Sequence, residues 1–148
     1  MIKLKEGLSK SGERMHYSVG GLINIDGKYL LIDRIYKPLG FACPAGHIDL
    51  GEIPEESFLR EIKEETGLKI NKFRLLFEEE TNATCGLGAN HHYYYVYECQ
   101  DISGKIIFDI SEAKSIGLYS EKEIQHFAHQ KRMEPIWEYW FRKKGVIK

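Results

Sequence analysis

The sequence predicts an α/β protein, with a mixed β-sheet held between helices. Three observations carry this. Apolar runs either side of Asp26-Gly27 form the strongest short signal for a two-residue hairpin. One helix, near Pro54 to Thr66, has boundary signals at both ends. Strand-like runs rich in aromatic and β-branched residues follow it, and two further helical stretches come last.

Composition bounds the reading further. With 148 residues and 43% hydrophobic content, the chain reads as a single domain over 1–148 with one full core. The net charge of −1 implies no broad surface for a nucleic-acid polymer. A small phosphate ligand needs only local positive charge and stays compatible. Cys43, Cys85 and Cys99 lie far apart without a CxxC pair, which argues for reduced thiols in a cytoplasmic protein and against a zinc finger. Met1 to Glu6 lack an apolar signal core, and no apolar run approaches membrane-spanning length.

The elements follow in order. Ile2 and Leu4 alternate with lysines, predicting a short edge strand, and Lys10 to Glu13 reads as a turn. Tyr17 to Ile25 and Lys28 to Arg34 form the hairpin. Ile35 to Phe41 is a loop. The helix from Pro54 uses a residue whose missing N–H costs nothing at the first position. Glu55 and Glu56 suit its first turn, and Gly67 suits the left-handed position past its end. Lys69 to Glu78 reads as a strand, Asn82 to Asn90 as a loop and His91 to Cys99 as a strand. On a strand, His91 and His92 point to opposite faces, which disfavours joint metal binding. Asp101 to Lys105 is a turn, and short strands are predicted at Ile106–Phe108 and near Ser115–Tyr119. Ser120 with Glu123 forms a capping box for a helix from Glu121 to about His129. A last helix begins near Pro135 and carries Trp137, Tyr139, Trp140 and Phe141, suited to the core or to a homodimer contact.

The chemistry concentrates on the first helix. At about 100° per residue, Glu61, Glu64 and Glu65 share one face beside an apolar stripe of Phe58, Leu59 and Ile62. Like charges at these spacings repel, and more so when desolvated. A hard divalent cation held by oxygen ligands removes that repulsion, as would cationic side chains on other helices. A solvated acidic face is the plainer alternative.

The flanking residues discriminate. Gly46, Glu52, Arg60-Glu61, Ile62, Glu64-Glu65, Gly67 and Leu68 stand at fixed offsets, and this spacing resembles the signature of the Nudix hydrolase family at every specified position. The resemblance implies the Nudix fold, an α/β/α sandwich with a mixed sheet. It also implies Mg²⁺- or Mn²⁺-dependent cleavage of a diphosphate linkage in a small-molecule nucleotide. Carried over residue by residue, it makes Glu64 and Glu65 metal ligands and Glu61 a ligand or the general base. The Ala45 carbonyl and Glu112, with Asp109 as second choice, would complete the metal site. Many members read Pro-Gly-Gly where this chain has Pro44-Ala45-Gly46. Glu52 and Arg60 would orient the carboxylates.

Arg34 ends its strand just before the motif loop and is a candidate for holding phosphate. Tyr36 and Phe41 are candidates for stacking on a base, and Lys37 for meeting a phosphate. Triphosphates, ADP-ribose, nucleotide sugars and dinucleoside polyphosphates all fit the resemblance. The short chain, without an added substrate domain, favours free nucleotides. A nucleotide sensor on the same fold would usually lack some motif carboxylates, and this chain keeps all of them. Isomerase activity on isoprenoid diphosphates finds no diagnostic cysteine context at Cys43 or Cys85.

Overall fold

The strand β2 (Arg14–Ile25) organises the sheet in this computed structural model, which describes residues 3–148. Its start pairs antiparallel with β1 (Glu6–Leu8). It turns at Asp26-Gly27, where φ is 52° and 83°, into β3 (Lys28–Arg34). Two positive φ angles are what a type I′ hairpin requires, which is why Asp-Gly occupies it. Beyond the turn β3 parts from β2 and pairs antiparallel with β4 (Gly40–Ala42) and β8 (Ala113–Ser120). The short β5 (Ala45–His47) lies antiparallel to Ser18–Gly20 of β2. On its other side β2 runs parallel to β7 (His91–Gly104), from Met15 opposite His91 to Ile23 opposite Cys99. Finally β6 (Leu68–Thr81) pairs antiparallel with β7.

Three helices among the described residues cover the two faces: α1 (Pro54–Thr66), α2 (Glu121–His129) and α3 (Pro135–Lys144). Strand residues alternate between two cores, as the pleat demands. Ile23, Leu30 and Tyr97 pack with Phe58 and Ile62 of α1. Their chain neighbours Leu22, Leu31 and Val96 pack with Ile124 of α2 and with Trp137, Trp140 and Phe141 of α3. The result is the expected mixed-sheet sandwich. The α3 aromatics serve this core, and the exposed one, Tyr139, bonds Glu79. They give a homodimer contact no support.

Rings from both helical layers pack directly on β2 at two adjacent glycines. A Cβ on Gly20 would lie 2.5 Å from the Trp137 ring, and one on Gly21 would lie 2.5 Å from the Phe58 ring. Both rings are fully buried and have nowhere to retreat. Gly21→Ala is therefore expected to cost about 1–3 kcal/mol by overpacking. Urea unfolding would report this as a lower midpoint at unchanged m.

The boundaries of α1, α2 and α3 lie where the caps predict. Gly67 takes φ 77° with its N–H bonded to the Lys63 carbonyl, and Ser120 and Glu123 form a reciprocal capping box. Other expectations need correction. Ile2 lies outside the described residues, Leu4 makes an isolated bridge with Asp49, and the first strand begins at Glu6. The turn predicted at Asp101–Lys105 is strand through Gly104, because the β6–β7 ladder continues to Leu68 opposite Gly104. Ile106–Phe108 is not a strand. The Ile107 N–H instead donates to the Thr66 carbonyl (2.8 Å), satisfying a backbone group at the end of α1. Phe41 sits in β4 rather than in a loop.

Candidate active site

The acidic face of α1 is held by one arginine. Arg60 donates from Nε and Nη2 to the two oxygens of Glu52, at 2.8 and 2.9 Å, a bidentate fork. Its Nη1 donates to Glu61 (3.0 Å) and to Glu64 (3.3 Å). Nη2 also donates to the His47 carbonyl (3.3 Å) and lies 3.3 Å from Asp49. This guanidinium thus ties the loop before α1 to the helix and orients two of the three motif carboxylates. The hydrogen bonds from Arg60 hold the Glu52 carboxyl below its usual range.

Strand β5 fixes the other side. The Ala45 N–H donates to Glu65 (3.2 Å). A Cβ on Gly46 would fall on the Glu61 carboxylate, so only glycine admits that side chain here. Burial pushes the Glu61 carboxyl up to about 7, against the pull of Arg60 and with the help of Glu64. Burial, reinforced by Glu61, holds Glu65 well above the carboxylate range. Glu64 is open to solvent, its side chain 58% exposed.

Glu61, Glu64 and Glu65 line one cavity of about 490 Å³ together with Arg34, Tyr36, Asp109 and Glu112. The Arg34 Nε donates to the Pro38 carbonyl (2.7 Å) and lies 3.6 Å from Glu134. Its two Nη groups bond none of the described residues. Tyr36 is 59% exposed and donates to the Ser111 carbonyl (3.3 Å), bridging the 35–39 loop to the turn before β8. Asp109 is engaged in that turn: its carboxylate accepts from the Ser111 N–H (2.8 Å) and hydroxyl (2.7 Å). Those bonds keep its carboxyl below the ordinary range. Glu112 has no such engagement, which favours it over Asp109 as the fourth carboxylate.

Two sequence candidates lie elsewhere. Phe41 is 5% exposed and stacks on Phe127 at 4.3 Å, a core residue with no face left for a base. Lys37 borders a separate surface depression with Cys85. Two contributors were not legible. Phe108, 41% exposed, lines the acidic cavity because its segment is coil rather than strand. Asp49 joins the Arg60 network although no motif spacing marks it.

The acidic helix, its arginine clamp and the β5 backbone belong to one contiguous unit, and the NUDIX domain model matches this chain over residues 14–140. The chain belongs to the Nudix hydrolase family.

Individual Nudix relatives agree in fold. A MutT NUDIX hydrolase from Burkholderia pseudomallei aligns with TM-score 0.66 and 26% identity, covering 74% of this chain and 86% of that one. A NUDIX hydrolase from Nitrosomonas europaea aligns with TM-score 0.68 and 23% identity over 88% of each chain. An ADP-ribose pyrophosphatase from Methanocaldococcus jannaschii is 51% identical over 53 residues, 34% of this chain. That match spans 31% of the relative's length.

The Nudix donor set suits a divalent metal on physical grounds. Three carboxylates converge on one cavity, two of them so desolvated that they resist ionisation. The Arg60 guanidinium reaches Glu61 and Glu64, whereas Glu65 has a single backbone N–H. Hard oxygen donors left short of positive charge fit a hard cation. Arg60→Lys, which keeps the charge and loses the fork, is expected to lower metal-dependent turnover about 10–100-fold. Steady-state kinetics over a metal titration would read it as a raised metal requirement.

Proposed function

We propose that this Nudix domain hydrolyses a diphosphate linkage in a nucleoside diphosphate derivative, using Mg²⁺ or Mn²⁺. The observation that supports it most is the meeting of Glu61, Glu64, Glu65 and Glu112 with Arg34 in one cavity. Glu64, Glu65, Glu112 and the Ala45 carbonyl would hold the metal. When bound, the metal neutralises the diphosphate and lowers the pKa of a water. Arg34, with its Nε already engaged, offers its Nη groups to a phosphate oxygen. Glu61 accepts the proton as water attacks phosphorus and the bridging oxygen leaves with the second phosphate. Arg60 keeps Glu61 and Glu64 in place throughout. Tyr36 and Phe108, both exposed at the cavity rim, provide faces on which a base can stack.

Identity to an ADP-ribose pyrophosphatase makes ADP-ribose the first substrate to test, ahead of the triphosphates that chain length alone suggested. Three free cysteines are consistent with action in the cytoplasm. Among the described residues no helix is long and apolar enough to cross a membrane.

Product analysis on ADP-ribose, nucleotide sugars, triphosphates and dinucleoside polyphosphates, with and without Mg²⁺, tests the proposal. AMP and ribose 5-phosphate released from ADP-ribose only with metal is the expected outcome. Turnover confined to triphosphates would overturn the substrate and keep the chemistry. No turnover across the panel would leave a nucleotide-sensing domain as the better reading.

A further inference from the structure

We infer that His16, His47, Cys85 and His92 form a second metal site, separate from the acidic cavity, that takes a borderline-soft divalent ion of the Zn²⁺ class. Their four ligand atoms all lie within 4.8 Å of one another. Three imidazole rings surround a common point, with centroids 5.0, 5.5 and 5.3 Å apart. None of the four residues belongs to the acidic helix.

Two of the separations match those of a tetrahedral ion. With Zn–N near 2.0–2.1 Å and Zn–S near 2.3 Å, tetrahedral angles put two nitrogens about 3.4 Å apart and sulfur about 3.5 Å from nitrogen. The Nε2 atoms of His47 and His92 stand 3.2 Å apart. Cys85 Sγ stands 3.5 Å from His16 Nδ1.

The outer partners point the same way. A metal-bound histidine usually gives its other N–H to a carboxylate or carbonyl. His92 Nδ1 lies 2.7 Å from the Ala83 carbonyl, which can only accept, so the proton is on Nδ1 and the Nε2 lone pair faces the cluster. His16 Nε2 lies 3.3 Å from a Glu6 carboxylate oxygen, which leaves its Nδ1 turned to Cys85. The Leu87 N–H donates to Cys85 Sγ (3.4 Å), which fixes the sulfur beside His16. His16 is buried, while His47, Cys85 and His92 line a cavity of about 210 Å³ through which an ion can enter.

Three nitrogens and a sulfur exclude Mg²⁺ and Ca²⁺, which take oxygen. Four protein ligands leave no open position, as in structural rather than catalytic zinc sites. The ion would join β1's neighbour β2, β5 and β7 to the 82–90 loop. Sequence spacing gave no hint, because the four residues come from four separate segments and His91, beside His92, faces away.

The test is a Co²⁺ titration of the untagged, chelator-stripped chain in excess Mg²⁺, which fills the acidic site. One equivalent is expected to give the intense visible bands of tetrahedral cobalt with a near-ultraviolet sulfur-to-cobalt band. One equivalent of Zn²⁺ should abolish both. Cys43 and Cys99 are buried in the core, so the sulfur band reports Cys85. Cys85→Ser, on a loop, should lose that band while remaining folded. Glu6→Gln should weaken Zn²⁺ binding about tenfold. Glu65→Gln should leave the spectrum unchanged. No tetrahedral spectrum, or a sulfur band that survives in Cys85→Ser, would overturn the inference. A spectrum lost in Glu65→Gln would also overturn it, by assigning the ion to the acidic helix.

Discussion

Glu65→Gln is expected to lose on the order of 10³-fold in kcat/KM on the proposed substrate class, while melting at or above the parent's temperature without metal. The two halves have one cause. Among the described residues, the half-buried Glu65 carboxylate has the Ala45 N–H as its one hydrogen-bond donor. Its charge is unfavourable in the metal-free chain, and glutamine keeps the shape and an accepting oxygen for Ala45 without the charge. The same substitution removes one of the oxygens that would hold the proposed metal. A variant that is inactive and unfolded would point instead to a purely structural role. Glu64→Gln should lose activity similarly with a smaller gain in stability, since Glu64 is mostly in water. Unchanged turnover in both would sink the assignment of the metal to this face. Loss in Glu112→Gln with none in Asp109→Asn would support the choice between those two.

Removing metal should also invert the usual dependence of stability on pH. The folded-state pKa of Glu61 is raised by burial from the ordinary 4.5 to about 7. A raised carboxyl contributes stability fully below its unfolded pKa, and loses it as pH climbs through the folded value. For Glu61 that loss amounts to about 3 kcal/mol between pH 4.5 and 7. Glu65 adds in the same direction. The melting temperature of the chain in EDTA should therefore fall from pH 5 to pH 8, and Mg²⁺ should restore it most at the alkaline end. Glu61→Gln should flatten the metal-free slope. Because buried His47 and His92 push the slope the other way and Glu134 pushes it the same way, the slope that Glu61→Gln removes is the readout, and a slope left unchanged in that variant would contradict the burial of this carboxyl.

Much of the fold was legible because its signals are local. Asp26-Gly27, Pro54, Gly67 and the Ser120–Glu123 box each specify a backbone conformation within a few residues, and each element boundary follows them. The acidic helix was legible for the same reason, since a 3.6-residue period alone brings Glu61, Glu64 and Glu65 together. What failed was non-local. Ile106–Phe108 has the composition of a strand, but its backbone is drawn to the Thr66 carbonyl, a partner some 40 positions away by sequence. Phe41 looked like a loop aromatic until α2 supplied Phe127 for it to stack on. The histidine–cysteine cluster depends on the parallel register of β2 and β7, which brings His16 opposite His92. Register of that kind is set by the whole sheet.

The acidic cavity draws on two parts of the molecule that differ in how firmly they are held. Its near wall takes Ile32 and Arg34 from β3, a strand bonded to β2, β4 and β8, and α1 is anchored by buried Phe58 and Ile62. Its far wall, residues 105–112, is exposed throughout, with the Ile107 N–H one of its few backbone attachments to the body. In hydrogen–deuterium exchange the β2 amides should be among the last to exchange, near the global limit, and those of 105–112 among the first. Glu112 rides on the fast-exchanging segment and Glu64 and Glu65 on the slow one. A metal bridging them would show as slowed exchange in 105–112 alone, a ligand-binding signal readable without any substrate.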